Sequence, residues 1–174
     1  KEFAGHPRLG AAEYRLTHKA KNGRGVYTFC MCPGGLVVAS ASEVGHLVTK
    51  GMSENARDQH NANSGLLVQV FPEDFGSEHP LAGIDFQRAL EKKAYELGGR
   101  TYQAPAQLVG DFLKGQPSTA MGSVTPSYSL GVMPTDLTAL FPDYISDALK
   151  DALIGLDKKM HGFALSDAVM TGVE

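Results

Sequence analysis

Both cysteines of the chain lie in the segment YTFCMCPGG, where Cys30 and Cys32 precede the tripeptide Pro33-Gly34-Gly35. Thiols bind metals, form disulfides or exchange electrons with a cofactor, whereas buried thiols act as small apolar side chains. Strand alternation over 26–32 predicts that Cys30 and Cys32 point to the same face. Neighbours on one strand face stand ~6.5–7 Å apart, so a disulfide between them would be strained and reducible rather than structural.

A zinc site needs four ligands, and the two cysteines supply at most two of them. The remaining ligands would have to come from histidines, and none of these has the paired spacing of a zinc ligand: His6, His18, His46, His60, His79 and His161. We therefore predict no metal site. Burial of both thiols and a redox or nucleophilic role remain open alternatives.

The glycines after the cysteines and the polar segment GMSENARDQHNANSG (51–65) are candidates for ligand binding. Glycine lets the backbone adopt a positive φ or approach a cofactor closely, although a simple turn also explains Gly34 and Gly35. In the polar segment, Arg57 is suited to clamping a carboxylate or phosphate. Asn61 and Asn63 are suited to bonding a polar ring edge, and Ser64 follows them. Such a segment is either a solvated loop or a ligand-facing one.

The chain has no nucleotide-binding fingerprint of its own. Gly23-Arg24-Gly25 begins like G-x-G-x-x-G, but Thr28 stands where the third glycine belongs. Neither a phosphate-binding G-x-x-x-x-G-K-[ST] loop nor a G-x-S-x-G nucleophile elbow is present in the sequence.

The elements that must position these residues are predicted from hydrophobic periodicity. Val-, Leu-, Phe- and Thr-rich runs predict strands at 25–32, 36–41, 46–51 and 66–71, with a hairpin turn at 42–45. Helical spacing predicts one helix capped by Asp85 and ended by Gly98, a shorter one over 105–114, and one from Pro142 to Gly162. The segment 115–134 is predicted as a loop. Strands followed by helices predict an α+β domain, in which an antiparallel or mixed sheet from the N-terminal half packs with helices from the C-terminal half.

Composition bounds the class of protein. With 174 residues, 43% hydrophobic and 20% charged, the chain is long enough for one globular core. The net charge of -3 and the lack of basic residues interleaved with aromatics argue against nucleic-acid binding. No apolar run is long enough to span a membrane, and the start 1–10 lacks a signal-peptide pattern, so a cytoplasmic location is predicted. Because the chain begins without methionine and ends in the β-like run AVMTGVE, we expect a segment of a longer protein.

Several motifs in order along nearly the whole chain resemble the bacterial family of FAD-dependent, or NAD(FAD)-utilizing, dehydrogenases. The motifs are GRGVYTFCMCPGG, GMSENARDQHNANSG, PLAGIDFQRALE, APAQLVGDFL, TPSYSLGV and AVMTGVE. The chain departs from that pattern at Lys50 and Gly65, where the resemblance leads us to expect Asn and Ala. It also lacks the glycine fingerprint of the family's FAD-binding half.

The resemblance implies that residues 1–174 form a single inserted domain, the cap or substrate domain of a larger FAD-dependent oxidoreductase. The segment would not be catalytically competent alone, and FAD would be bound in the full-length protein and not by this segment, with NAD(P)H as an electron donor. Its partners would be the FAD-binding domain of the same polypeptide and a small-molecule substrate. Cys30 and Cys32 would be the catalytic or redox groups, and the cofactor-binding residues would be Pro33, Gly34, Gly35, Arg57, Asn61, Asn63 and Ser64.

Two other classes of function stay open at this point. One is a non-catalytic module in which the Asn-rich segment and the 115–134 loop bind a ligand or a partner. The other is a small metal-binding domain.

Overall fold

The computed structural model describes residues 6–9 and 15–174. Most of residues 1–10, which lack the pattern of a signal peptide, therefore lie outside the described residues. In chain order the elements are β1 Thr17–Lys19, β2 Gly25–Ala39, β3 Thr49–Met52, β4 Asn61–Val68, α1 Ala82–Leu97, β5 Ala104–Leu108, α2 Val109–Lys114, β6 Val132–Pro134, α3 Asp143–Asp157 and β7 Val169–Thr171. Short 3-10 turns occupy Pro72–Phe75 and Leu137–Ala139. The α+β class is confirmed.

The first sheet is built around β2, which spans 15 residues and pairs antiparallel with β1, β3 and β4. We predicted two separate strands here, and that prediction is wrong because the chain continues through Pro33-Gly34-Gly35 without leaving the sheet. The strand β4 also begins earlier than predicted, since the Asn-rich segment from Asn61 pairs with β2 rather than forming a loop.

Two register shifts interrupt the pairing of β2 with β4. The aligned pairs are Phe29 with Gly65, Cys32 with Asn63 and Gly35 with Asn61, so β2 carries one extra residue in each interval. Each shift is a β-bulge, which bends the strand and breaks the alternation of its side chains. The extra residues accompany positive φ angles of 49° at Cys30 and 58° at Gly34.

A second, three-stranded sheet has the order β6-β5-β7, with β5 parallel to β6 and antiparallel to β7. We predicted a helix over 105–114, but its first residues form β5 and only the remainder forms α2. The strand is favoured because β5 is buried between two neighbours. The side chain of Gln107, wholly buried, also accepts from the Leu137 N–H at 2.7 Å and donates to the Gln116 carbonyl at 2.8 Å.

The helix α3 joins the two sheets through an apolar stripe that was predicted from the sequence. Ile145, Leu149 and Leu153 are buried in one core cluster, while Leu156 is buried in the other, with Val26 of β2. The helix ends at Asp157, earlier than predicted. The Asp157 side chain accepts from the backbone N–H groups of residues 162 and 164 and so holds the chain in a turn after the helix.

The helix α1 is confirmed, although it begins at Ala82 after the N-cap residue Leu81, so Asp85 lies in its first turn and is not a cap. Near the end of the chain, the Thr49 N–H donates to the Val173 carbonyl at 2.7 Å and links β3 to the residues after β7. Among the described residues, no helix has the length and apolar content needed to cross a membrane.

An ion pair fastens the turn between β1 and β2 to the rest of the domain. Arg24 makes two hydrogen bonds of 2.7 Å to the two carboxylate oxygens of Asp74, and both side chains are more than four-fifths buried. The Arg24 guanidinium also lies 3.9 Å from the ring centroid of Tyr144 on α3. Planar, paired donors of this kind suit arginine and not lysine. These bonds lower the pKa of the Asp74 carboxyl.

Replacing Asp74 by Asn should lower the free energy of unfolding at neutral pH. A depressed carboxyl pKa stabilises the fold above the unfolded value, about 4, and this stabilisation is lost as pH falls through the lower folded value. The difference between wild type and Asp74→Asn should therefore shrink below about pH 4. Urea unfolding over this range, with the exposed Asp58→Asn as control, measures it. A difference that stays constant into strong acid would contradict the assignment.

The glycine at position 34 should tolerate alanine less well than another left-handed glycine. A Cβ on Gly34 would collide with the Arg57 carbonyl oxygen, whereas a Cβ on Gly23, with φ 84°, meets nothing within 4 Å. We expect Gly23→Ala to cost about 1–2 kcal/mol of unfolding free energy, from backbone strain alone. Gly34→Ala should cost about 2 kcal/mol more because the 54–58 turn must move. Equal costs in urea unfolding would show that this contact gives way freely.

Candidate functional site

An open depression of about 520 Å³ lies on the outer side of the first sheet, where β1 runs beside β2. Its lining residues are Arg15, Leu16, Thr17, Tyr27, Thr28, Phe29, Cys30 and Met31. Tyr27 and Phe29 are 43% and 54% exposed, whereas Val26 on the opposite face of β2 is buried against α3. This volume is in the range of small-molecule pockets, about 300–1,000 Å³. The depression is open to solvent.

The bulge places the two cysteines in different environments. Cys30 is exposed in the depression, while Cys32 is 9% exposed and its thiol donates to the Cys30 carbonyl at 3.4 Å. The prediction that both thiols share one face is therefore wrong, because the left-handed Cys30 interrupts the alternation. Both cysteines are free thiols. A non-glycine residue with positive φ is strained, and such strain is concentrated at functional sites.

The glycines after Cys32 are explained by contacts within the chain. A Cβ on Gly34 would meet the backbone of Arg57 and Asp58. A Cβ on Gly35 would lie 2.5 Å from the Met52 carbonyl oxygen and 2.7 Å from the Cys32 Cβ atom. The Gly34 carbonyl also accepts from the Gln59 N–H at 3.2 Å. The close approach that these glycines permit is therefore that of the 52–59 segment.

The predicted amide ligands are used to hold the sheet. The Asn63 amide donates to the Leu36 carbonyl at 3.1 Å, while its Oδ1 atom is buried and has no hydrogen-bond partner among the described residues. The Asn61 amide donates to the Thr125 carbonyl at 2.8 Å and so fixes the segment 115–134 to β4. Ser64 lies between Asn63 and Gly65 on the same strand. Arg57 is exposed at φ 50°, in the turn packed on Gly34.

The structure thus brings the predicted residues into one region but gives them different positions. Of those residues, Cys30 lines the depression. The others lie on the paired strands β2 and β4 or in the turn packed on Gly34, and they are Pro33, Gly34, Gly35, Arg57, Asn61, Asn63 and Ser64. The lining residues that were not predicted from the sequence are Arg15, Leu16, Thr17, Tyr27, Thr28, Phe29 and Met31. The sequence did carry a signal for this surface, because the strand 26–32 has apolar residues on both of its faces. When one face of a sheet is exposed to water, the residues on that face are usually polar.

Lys50 and Gly65, the positions at which the resemblance leads us to expect Asn and Ala, both lie beside Glu174. A Cβ on Gly65 would stand 2.7 Å from a carboxylate oxygen of Glu174, so alanine would displace this side chain. Partial burial raises the pKa of the Glu174 carboxyl, while the Lys50 ammonium and the Gly51 N–H oppose that shift. Lys50 and Gly65 therefore share one neighbour, the Glu174 carboxyl group.

The histidines and cysteines were considered as metal ligands from the sequence. Among residues 6–9 and 15–174, no three His, Cys, Asp or Glu side chains are grouped as metal ligands. The His18 imidazole lies 3.1 Å from Asp151, and this pair connects β1 to α3.

Comparison with known proteins places these features in a family. An uncharacterized protein of Clostridium beijerinckii is 55% identical over 170 residues, which are 97% of this chain and 32% of that protein. The chain therefore spans about a third of the length of this curated relative. The family model described as "FAD-dependent protein, C-terminal domain-like" matches residues 1–174, and the chain belongs to that family.

Proposed function

We propose that the chain is the cap, or substrate, domain of an FAD-dependent oxidoreductase of the dehydrogenase type, inserted in a polypeptide whose remainder holds the flavin. The observation that carries the proposal is the open depression at Cys30, with the exposed rings of Tyr27 and Phe29, in a chain of an FAD-dependent family. Because the depression is a single wall, the second wall is assigned to the flavin-holding part. The domain alone is then not catalytically competent.

The residues of the depression fit one part of FAD and not another. Phe29, Tyr27 and Met31 offer a flat apolar surface suited to an aromatic ring system. The phosphates have no matching cradle in the described residues, since the space beside Gly34 and Gly35 is filled by the chain itself. No helix in this part of the chain begins after a glycine fingerprint. We therefore assign the pyrophosphate to the rest of the polypeptide.

When bound, FAD supplies the two-electron redox chemistry. The roles of this chain are to cover the ring, to exclude water from it and to present a thiol. Phe29 and Tyr27 serve the first two roles, because their exposed rings become buried when the second wall closes. Cys30 presents the thiol, because it lines the depression. Cys32 stabilises the bulge, because its buried thiol donates to the Cys30 carbonyl. NAD(P)H as the electron donor stays a prediction from the resemblance.

The alternative, a non-catalytic binding module, was based on the polar segment 51–65 and the loop 115–134. The Thr125 carbonyl accepts from Asn61, the Ser127 hydroxyl accepts from the Val37 N–H at 2.9 Å, and the Ser123 hydroxyl donates to Asp167 at 2.5 Å. Three polar groups of the 115–134 loop are thus bonded within the domain. This pattern favours the flavin-covering role.

In the full-length protein, replacing each cysteine by serine should have a different effect. Cys30→Ser should change the flavin absorbance spectrum or its reduction potential with little change in stability, because the exposed polarizable sulfur is lost. Cys32→Ser should leave the flavin nearly unchanged and cost about 1 kcal/mol of unfolding free energy, since the buried hydroxyl keeps only the Cys30 carbonyl as partner. Spectroelectrochemistry and urea unfolding measure the two effects.

The paired variants are controls for each other. A flavin whose spectrum and potential are the same in wild type and Cys30→Ser would refute the assignment of this thiol to the flavin face. A larger flavin effect from Cys32→Ser would place the reactive thiol on the opposite side of the bulge.

The isolated 174-residue chain should not retain FAD through purification. It lacks the phosphate cradle described above, and a flat apolar wall alone gives weak binding. The absorbance spectrum of the purified chain, compared with that of the full-length protein, measures this. A stoichiometric flavin spectrum in the isolated chain would overturn the division of roles between the two parts.

A further inference from the structure

We infer that the depression binds a small ligand with a flat apolar body and one anionic group, which Arg15 receives. This inference rests on the proposed function, because it names the class of substrate that would share the depression with the flavin ring. It adds a residue, Arg15, that neither the sequence motifs nor the family assignment singles out.

The charge of the depression comes from Arg15. It is the single Lys, Arg, Asp or Glu side chain among the described lining residues. Arg15 is exposed, and no ion pair joins it to any residue of the described part of the chain. A guanidinium at the edge of an apolar wall offers paired donors to a carboxylate or phosphate, and none of the described lining residues carries a carboxylate that would compensate its charge.

The apolar body is indicated by the floor of the same depression. Phe29 and Tyr27 are exposed beside the half-buried Met31, although aromatic side chains are costly to leave in water. The polar groups beneath them are already bonded, since both the N–H and the hydroxyl of Thr28 donate to the Leu16 carbonyl. The surface thus offers stacking area with a cation at one end.

A second open depression of the domain has the opposite pattern and provides a control. It is lined by Val44, Gly45, His46, Lys92, Tyr95, Glu96 and Arg100. Its Arg100 is 71% exposed but lies 3.6 Å from Glu96, so its charge is partly compensated. Arg100 is therefore a matched surface arginine that the inference does not involve.

The test is isothermal titration of benzoate, benzamide and inorganic phosphate into the full-length protein, with FAD bound and after its removal. Benzoate should bind about tenfold more tightly than benzamide, because a hydrogen-bonded charge adds this much. Arg15→Gln should weaken benzoate binding by about tenfold and leave benzamide unchanged. Arg15→Lys should keep part of the affinity, Phe29→Ala should weaken both aromatic probes, and Arg100→Gln should change neither.

Benzoate binding that is equal in wild type and Arg15→Gln would overturn the inference, and so would phosphate binding as tight as benzoate binding, because then no apolar body is needed. Unfolding curves of Arg15→Gln check that the variant is folded. The flavin absorbance separates this inference from the proposed function. Benzoate binding that depends on Arg15 supports the inference whether or not the flavin spectrum changes. If the flavin spectrum does not change when benzoate binds, that result counts against the flavin-covering role alone.

Discussion

The architecture of the site depends on the contact between Gly34 and the backbone of the turn at Arg57. A side chain at position 34 would occupy the space of the Arg57 carbonyl, so the second bulge of β2 favours glycine there. That bulge lets one strand pair with β4 before it and with β3 after it. Because β2 bends here instead of ending, Cys30 lies on the outer side of a continuous sheet and not in a loop. The depression thus lies along a strand that continues past the second bulge.

The two cysteines show how a bulge gives adjacent residues separate roles. In a regular strand, residues two apart share a face and would have similar surroundings. Here the left-handed Cys30 turns its thiol to the surface, while the thiol of Cys32 remains below and donates to the carbonyl of Cys30. The buried thiol thereby stabilises the strained backbone that exposes the other one. The sequence raised four roles for the cysteines, which are metal binding, a disulfide, redox chemistry and packing. Because the two thiols have different surroundings, the two cysteines need not have the same role.

Sequence reasoning succeeded where a single physical signal dominates. The helices α1 and α3 carry long apolar stripes, and the α+β class follows from the order of the elements. It failed at β5, because the small residues of APAQL have no distinctive period and their strand conformation is set by burial between β6 and β7. The bulge at Cys30 has no local marker, since its positive φ occurs at a residue other than glycine. Arg15 was not predicted, because a single arginine forms no sequence pattern and lies near Phe29 only in the folded chain.

The bond from the Thr49 N–H to the Val173 carbonyl also bears on the behaviour of the protein in solution. The strand β3 pairs with β2 through one side, and a short strand with unpaired N–H groups on its other side would be a template for pairing with further chains. The Val173 carbonyl accepts from the Thr49 N–H, so this donor is already satisfied. Val173, after β7, therefore covers part of the open edge of β3 and leaves fewer free N–H groups there for pairing with a strand of another chain.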